Sequence, residues 1–144
     1  MFIGEYRHNV DEKGRMAVPS KFRTELKKGA VVTRGLDNCL FLYTKSEWEI
    51  FVKEKFSKLS LGQADARAVS RHLLGGAMDV SLDGQGRIIV PEYLRKSASI
   101  KKNVVIVGLY NRFEIWDEGN WEIYKQNTEK ASTQIAEKMG EVGF

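Results

Sequence analysis

Residues 9–23 read Asn-Val-Asp-Glu-Lys-Gly-Arg-Met-Ala-Val-Pro-Ser-Lys-Phe-Arg, and residues 81–95 read Ser-Leu-Asp-Gly-Gln-Gly-Arg-Ile-Ile-Val-Pro-Glu-Tyr-Leu-Arg. Asp11, Gly14, Arg15, Val18, Pro19 and Arg23 recur as Asp83, Gly86, Arg87, Val90, Pro91 and Arg95, each 72 positions on (83 − 11). The echo extends outward at a shift of 73 (104 − 31). Val31-Val32 answers Val104-Val105, Gly35-Leu36-x-Asn38 answers Gly108-Leu109-x-Asn111, and Trp48-Glu49-Ile50-Phe51 answers Trp121-Glu122-Ile123-Tyr124. Such a period exceeds the roughly 20–50 residues of a solenoid unit, which also needs about three copies or more. Two copies of a half-fold that complete each other, a fused pseudo-dimer, are expected instead.

Each copy opens with an expected hairpin. Glu5–Val10 is extended, Asp11-Glu12-Lys13-Gly14 turns, and Arg15–Val18 returns. Asp at the first turn position can bond backbone amides and Gly at the fourth tolerates positive φ, a common route into a bulged hairpin. Asp83-Gly84-Gln85-Gly86 has the same plan. Pro19 and Pro91 end their strands because proline cannot donate to a ladder. Proline also suits a first helical turn, which predicts short helices over Ser20–Leu26 and Glu92–Ser97. A second hairpin pairs Ala30–Thr33 with Cys39–Tyr43, and its twin pairs Val104–Val107 with Phe113–Trp116.

Thr44-x-x-Glu47 then resembles a capping box, and Trp48, Phe51, Val52, Phe56 and Leu59 follow at helical spacing. Trp121, Tyr124, Ala131, Ile135 and Met139 repeat the stripe, which is expected to pack on the core. An amphipathic helix over Gln63–Leu74, closed by Gly75-Gly76, joins the halves. The expected division is a half-domain over 5–47, connecting helices over 48–75, a second half-domain over 76–119 and a C-terminal helix and tail over 120–144. Only the Lys/Glu-rich stretch from Gln126 onward has a composition compatible with disorder.

The 144 residues are 42% hydrophobic and 29% charged, as in ordinary soluble domains. A net charge of +4 and a pI near 9.2 are compatible with a polyanionic partner. The single Cys39 excludes an intrachain disulfide framework and a Cys-x-x-Cys zinc site, and suits a reducing cytosol. The amino terminus lacks the apolar core of a signal peptide. The longest apolar run, Val104–Tyr110, is far short of the ~20 residues that span a bilayer. A cytoplasmic protein without membrane contact is expected.

The paired Asp-x-x-x-Arg motifs, Asp11…Arg15 and Asp83…Arg87, each precede an apolar-Val-Pro, with duplicated Trp helices behind them. In this the chain resembles the MraZ family, whose members carry two half-domains of the AbrB type, over nearly its whole length. The resemblance implies a mainly β fold with packed helices (α+β): a duplicated swapped-hairpin β-barrel forming an intrachain pseudo-dimer. It also implies a ring-like homo-oligomer, associated with the nucleoid. Such a regulator binds repeated sites on double-stranded DNA upstream of the bacterial division and cell-wall gene cluster.

The residues themselves offer a mechanism. Arg15 follows a hairpin turn, and its planar guanidinium suits phosphate or the O6/N7 edge of guanine. Arg7, His8, Lys13, Lys21 and Arg23 surround it in sequence, and a β-ribbon with such a tip fits the major groove. Alternatively, Asp11 and Arg15 form an ion pair that braces the turn. Asp11, Gly14, Asp83 and Gly86 are read as structural. Because Arg7, His8 and Lys13 correspond to Asp79, Val80 and Gln85, the first hairpin is expected to carry more of the DNA contact. Arg87 is then secondary, or serves a subunit interface.

Other chemistries find little footing. His8 and His72 have no Cys or carboxylate at metal-ligand spacing, and Gly84-Gln85-Gly86 lacks the Lys-Ser/Thr of a phosphate loop. No cofactor, metal, small-molecule substrate or catalytic residue is expected. The rival to a regulator is a non-enzymatic oligomeric scaffold or an antitoxin-like interaction module, since fold alone does not choose.

Overall fold

The computed structural model describes residues 1–144. Eight strands and five α-helices follow in chain order: β1 (Phe2–Asn9), β2 (Arg15–Ala17), α1 (Ser20–Arg23), β3 (Ala30–Arg34), β4 (Leu40–Thr44), α2 (Lys45–Phe56), α3 (Ala64–Leu73), β5 (Met78–Val80), β6 (Arg87–Ile89), α4 (Glu92–Ser97), β7 (Asn103–Tyr110), β8 (Phe113–Asp117) and α5 (Glu118–Met139). A six-stranded antiparallel sheet runs β1-β7-β8-β4-β3-β5, and β2 and β6 form a separate two-stranded ribbon.

The expected turn between β1 and β2 is present, but the two strands do not form a ladder. Asp11 N–H donates to Arg15 O at 3.0 Å and Gly14 N–H to Asp11 O at 2.9 Å. Beyond the single bridge Val10↔Met16 the strands part. β1 pairs instead with β7 of the other half, from Phe2↔Tyr110 to Asn9↔Asn103. Reciprocally, β5 of the second half pairs with β3 of the first, Ala30↔Val80 to Val32↔Met78. The physical reason is length: β2 has three residues before Pro19 ends it, whereas β7 offers eight. The halves therefore exchange strands, and the pseudo-two-fold axis passes between β4 and β8 and between β2 and β6.

A core of 20 buried residues draws on both halves, with Phe2, Met16, Phe22 and Leu40 meeting Ile88, Leu94, Ile106 and Phe113. Phe2 packs edge-on against Phe22 and Phe113, with centroids 4.9 and 5.4 Å away. Val105, Val107 and Trp116 face the opposite side of the sheet with Cys39, Phe41, Tyr43 and Leu73. The central strands are thus buried on both faces, which explains why Val104–Val107 reads as an unbroken apolar run.

Trp48, Phe51, Phe56, Val69 and Trp121, from α2, α3 and α5, cover that second face. Thr44 caps α2, its hydroxyl accepting from Glu47 N–H at 3.2 Å, as the capping motif predicts. The C-terminal stretch from Gln126 is helix through Met139, not an unstructured tail. The expected stripe packs only at its start: Ile135 and Met139 stay exposed, as does Leu59 beyond the end of α2. A helix of 22 residues is ~33 Å long, while the five-residue β8 beneath it spans ~17 Å. The helix outruns its sheet. No helix is long and apolar enough to cross a membrane.

Candidate nucleic-acid interface

Both Asp-x-x-x-Arg motifs fold into the same locked turn. Asp11 Oδ1 accepts from the backbone N–H of Lys13 (3.0 Å) and of Arg15 (2.9 Å), while Oδ2 accepts from Arg15 Nε at 2.6 Å. Asp83 does the same with Gln85 N–H (2.8 Å), Arg87 N–H (2.9 Å) and Arg87 Nε (2.9 Å). These donors hold both carboxyls below the ordinary carboxylate range, the backbone bond from the motif arginine contributing most. Gly14 (φ 83°) and Gly86 (φ 75°) close the turns in the left-handed region. A Cβ on Gly14 would stand 2.6 Å from the carbonyl oxygen of Val90.

Of the two alternatives raised by the sequence, this geometry contains the brace, an ion pair within each turn. Each aspartate braces its turn, and it holds its arginine by Nε alone. No intramolecular bond engages Nη1 or Nη2 of Arg15 or Arg87. Both terminal edges remain available to an external acceptor, with the side chains 36% and 28% exposed.

Strand exchange brings the two arginines together. In the β2–β6 ribbon Arg15 lies opposite Ile89, Met16 opposite Ile88 and Ala17 opposite Arg87. Met16 and Ile88 are buried, so Arg15, Ala17, Arg87 and Ile89 share the outward face. Arg15 and Arg87 are diagonal neighbours, a relation that sets Cα atoms about 7–8 Å apart. A pair 72 residues apart in sequence (87 − 15) becomes one feature of the surface.

The surroundings of Arg15 come from both halves. An open concavity of about 520 Å³ is lined by Asp11, Glu12, Lys13 and Arg15 together with Arg95, Lys101 and Lys102. Val10 N–H donates to Lys102 O at 2.8 Å and fixes that approach. Arg95 donates through Nε to Val90 O at 3.0 Å, with its guanidinium over Gly14. Arg23 does likewise to Val18 O at 2.9 Å, over Gly86.

Sequence reading missed Arg95, Lys101 and Lys102, because their approach to the first turn depends on the particular contacts of the exchanged halves, such as Val10 with Lys102, which an expected exchange does not specify. The signal available was Arg95's place in the repeat, as the twin of Arg23.

Arg7 and His8 lie elsewhere. Arg7 extends from β1 to the acids of α5, with Nη2 2.6 Å from Glu122 and Nη1 3.6 Å from Glu118. His8, on the opposite side of β1, is half-buried, and burial, with Arg23 nearby, depresses its pKa. The structure thus joins Lys13 and Arg15 to Arg95, Lys101 and Lys102, and leaves Arg7 and His8 outside that group.

The remaining reactive groups are occupied by packing. Cys39 is buried, donates to Leu36 O at 3.1 Å and has its pKa pushed up by burial. His72 Nε2 lies 2.8 Å from Gly35 O, joining α3 to the turn after β3. No cluster of three or more His, Cys, Asp or Glu side chains is arranged to hold a metal ion.

A family model described as "MraZ protein, putative antitoxin-like" matches the chain twice, over residues 1–72 and 73–142. The chain is 49% identical over 139 residues to the "Transcriptional regulator MraZ" of Natranaerobius thermophilus, covering 96% of each. Proteins of the same name from Clostridium tetani and Alkaliphilus metalliredigens are 48% and 45% identical over all 144 residues.

Proposed function

Because the chain belongs to the MraZ family, whose curated relatives are named transcriptional regulators, we propose that it is a non-enzymatic, sequence-specific DNA-binding regulator. Its outer β2–β6 ribbon face meets the duplex. One observation carries the reading: two aspartate-held arginines with free terminal nitrogens stand side by side on an exposed ribbon. A two-stranded ribbon fits the ~12 Å major groove, where a guanidinium forks onto guanine O6 and N7. The spacing of about 7–8 Å matches roughly two base steps of 3.4 Å.

Lys13, Arg95, Lys101 and Lys102 supply phosphate contacts beside Arg15. The second turn offers Gln85 where the first has Lys13. Arg15 therefore carries more of the binding than Arg87. Arg7 and His8 contribute through the frame of β1, and Asp11, Gly14, Asp83 and Gly86 by shaping the turns.

In this reading the protein acts in the cytoplasm at the nucleoid, as a ring-like homo-oligomer. It controls the division and cell-wall gene cluster that includes its own gene, by binding repeated upstream sites.

The test is a titration against the duplex upstream of its own gene and against a scrambled duplex, at two salt concentrations. Specific binding should exceed non-specific binding by roughly 10³-fold or more. Arg15→Ala should lose most of that margin and Arg87→Ala less. Equal, weak binding to both duplexes would reduce the basic face to an electrostatic surface and favour a protein partner instead.

A further inference from the structure

The outward ribbon face carries one residue that neither charge nor packing explains. Ile89 is 59% exposed, directly opposite Arg15, on a surface otherwise made of the two arginines and Ala17. A solitary exposed apolar residue is ordinary in general. This one stands in register with a guanidinium whose terminal nitrogens are free, and the repeat places Ala17 at the equivalent position (89 − 72). The pseudo-two-fold is therefore broken where the arginines are nearest each other: Arg15 has a branched apolar neighbour across the ribbon, Arg87 a methyl group.

We propose that Ile89 is a specificity-determining residue that packs on the 5-methyl group of a thymine next to the base read by Arg15. Resting on the DNA-binding reading above, this makes the site read by one chain unsymmetrical. The chemistry favours a thymine methyl because it is the one apolar group that base pairs present in the major groove, beside the acceptors that an arginine seeks. Directly opposed residues have Cβ atoms about 4.5–5.5 Å apart, so the two side chains reach adjacent bases. Ala17 is too short to make the same contact from the other end.

The experiment titrates wild type, Ile89→Val and Ile89→Ser against three duplexes. They are the duplex upstream of the protein's own gene, the same duplex with deoxyuridine for every thymine, and a scrambled duplex. Losing one buried methyl should weaken wild-type binding about three- to fivefold. Ile89→Ser should lose a similar factor on the thymine duplex and bind both versions equally, with affinity for the scrambled duplex and the melting temperature unchanged. Ile89→Val, which keeps a branched apolar side chain, should retain part of the preference.

A wild-type protein that prefers the upstream duplex but binds both versions alike overturns this proposal alone. So does an Ile89→Ser protein that keeps the full preference for thymine. If wild type does not distinguish upstream from scrambled DNA, the DNA-binding reading fails and carries this one with it.

Discussion

At the scale of single residues, the two motif turns differ from ordinary hairpin turns in how completely they are bonded. Each aspartate takes two backbone N–H groups and one guanidinium N–H, and each closing glycine adopts a conformation that costs other residues about 1–2 kcal/mol. At Gly14 a methyl group would also meet the Val90 carbonyl. Gly14→Ala is expected to destabilise the protein by about 2 kcal/mol or more, lowering Tm by ~4–8 °C. Gly84, in the second turn, has open space around it. Gly84→Ala should stay within ~0.5 kcal/mol of wild type, and thermal melts of the pair separate conformational strain from loss of a turn glycine as such.

His8 gives a pH dependence at the same scale. Its folded pKa lies below the ordinary 6.5 because burial, and then Arg23, disfavour the imidazolium. Between the folded value and 6.5 the unfolded chain binds more protons, so stability rises with pH through that window. The contribution is fully present above about pH 6.5 and is lost on acidification. Val80 occupies the equivalent position in the second half. His8→Val should therefore lose less Tm between pH 7.5 and pH 5 than wild type does, and an equal loss would remove His8 as the source.

At the scale of elements, local chemistry is legible from the residues themselves, whereas the exchange between the halves is expected only through the family resemblance, and its register is given by neither. The turns, the proline-started helices, the second hairpin of each half and the Thr44 cap follow from residue types within about five positions of each other. Which strand lies beside β1 does not. Val10–Met16 forms one bridge and no more, and the partner strand is about a hundred residues away (103 − 9 = 94 at its near end).

The same limit hid part of the candidate site. Lys13 and Arg15 were visible as a cluster, whereas Arg95, Lys101 and Lys102 join them only once the halves exchange strands. Arg7 counts as a basic neighbour in sequence, yet alternation along β1 turns it toward Glu122. The stripe through Met139 marks the reach of α5 but not its packing: the outer half stays exposed, and its helical form there rests on backbone continuity more than on buried apolar contact.

At the scale of the whole molecule, the repeat in the sequence becomes interdependence in space. The core of 20 residues is shared, and each half lends its first strand to the other's sheet. Neither half has a complete sheet alone. Unfolding should be a single transition with equal calorimetric and van't Hoff enthalpies. The exposed loop at Leu61-Gly62 gives a sharper test. Fragments 1–62 and 63–144 should be unfolded separately and recover strand content when mixed, as read by circular dichroism. Independent folding of either fragment would contradict the shared core.

The β1–β7 pairing also sets a timetable for the growing chain. Phe2 is made before its partner Tyr110, which is added only after more than a hundred further residues. At about 5–20 residues per second, that interval is roughly 5–20 s, against the microseconds in which a local hairpin closes. Throughout it β1 lacks the strand that completes its ladder, and Phe2 lacks the ring of Phe113. Birth order, as much as final structure, makes β1 the strand of this protein most in need of protection while the chain is young.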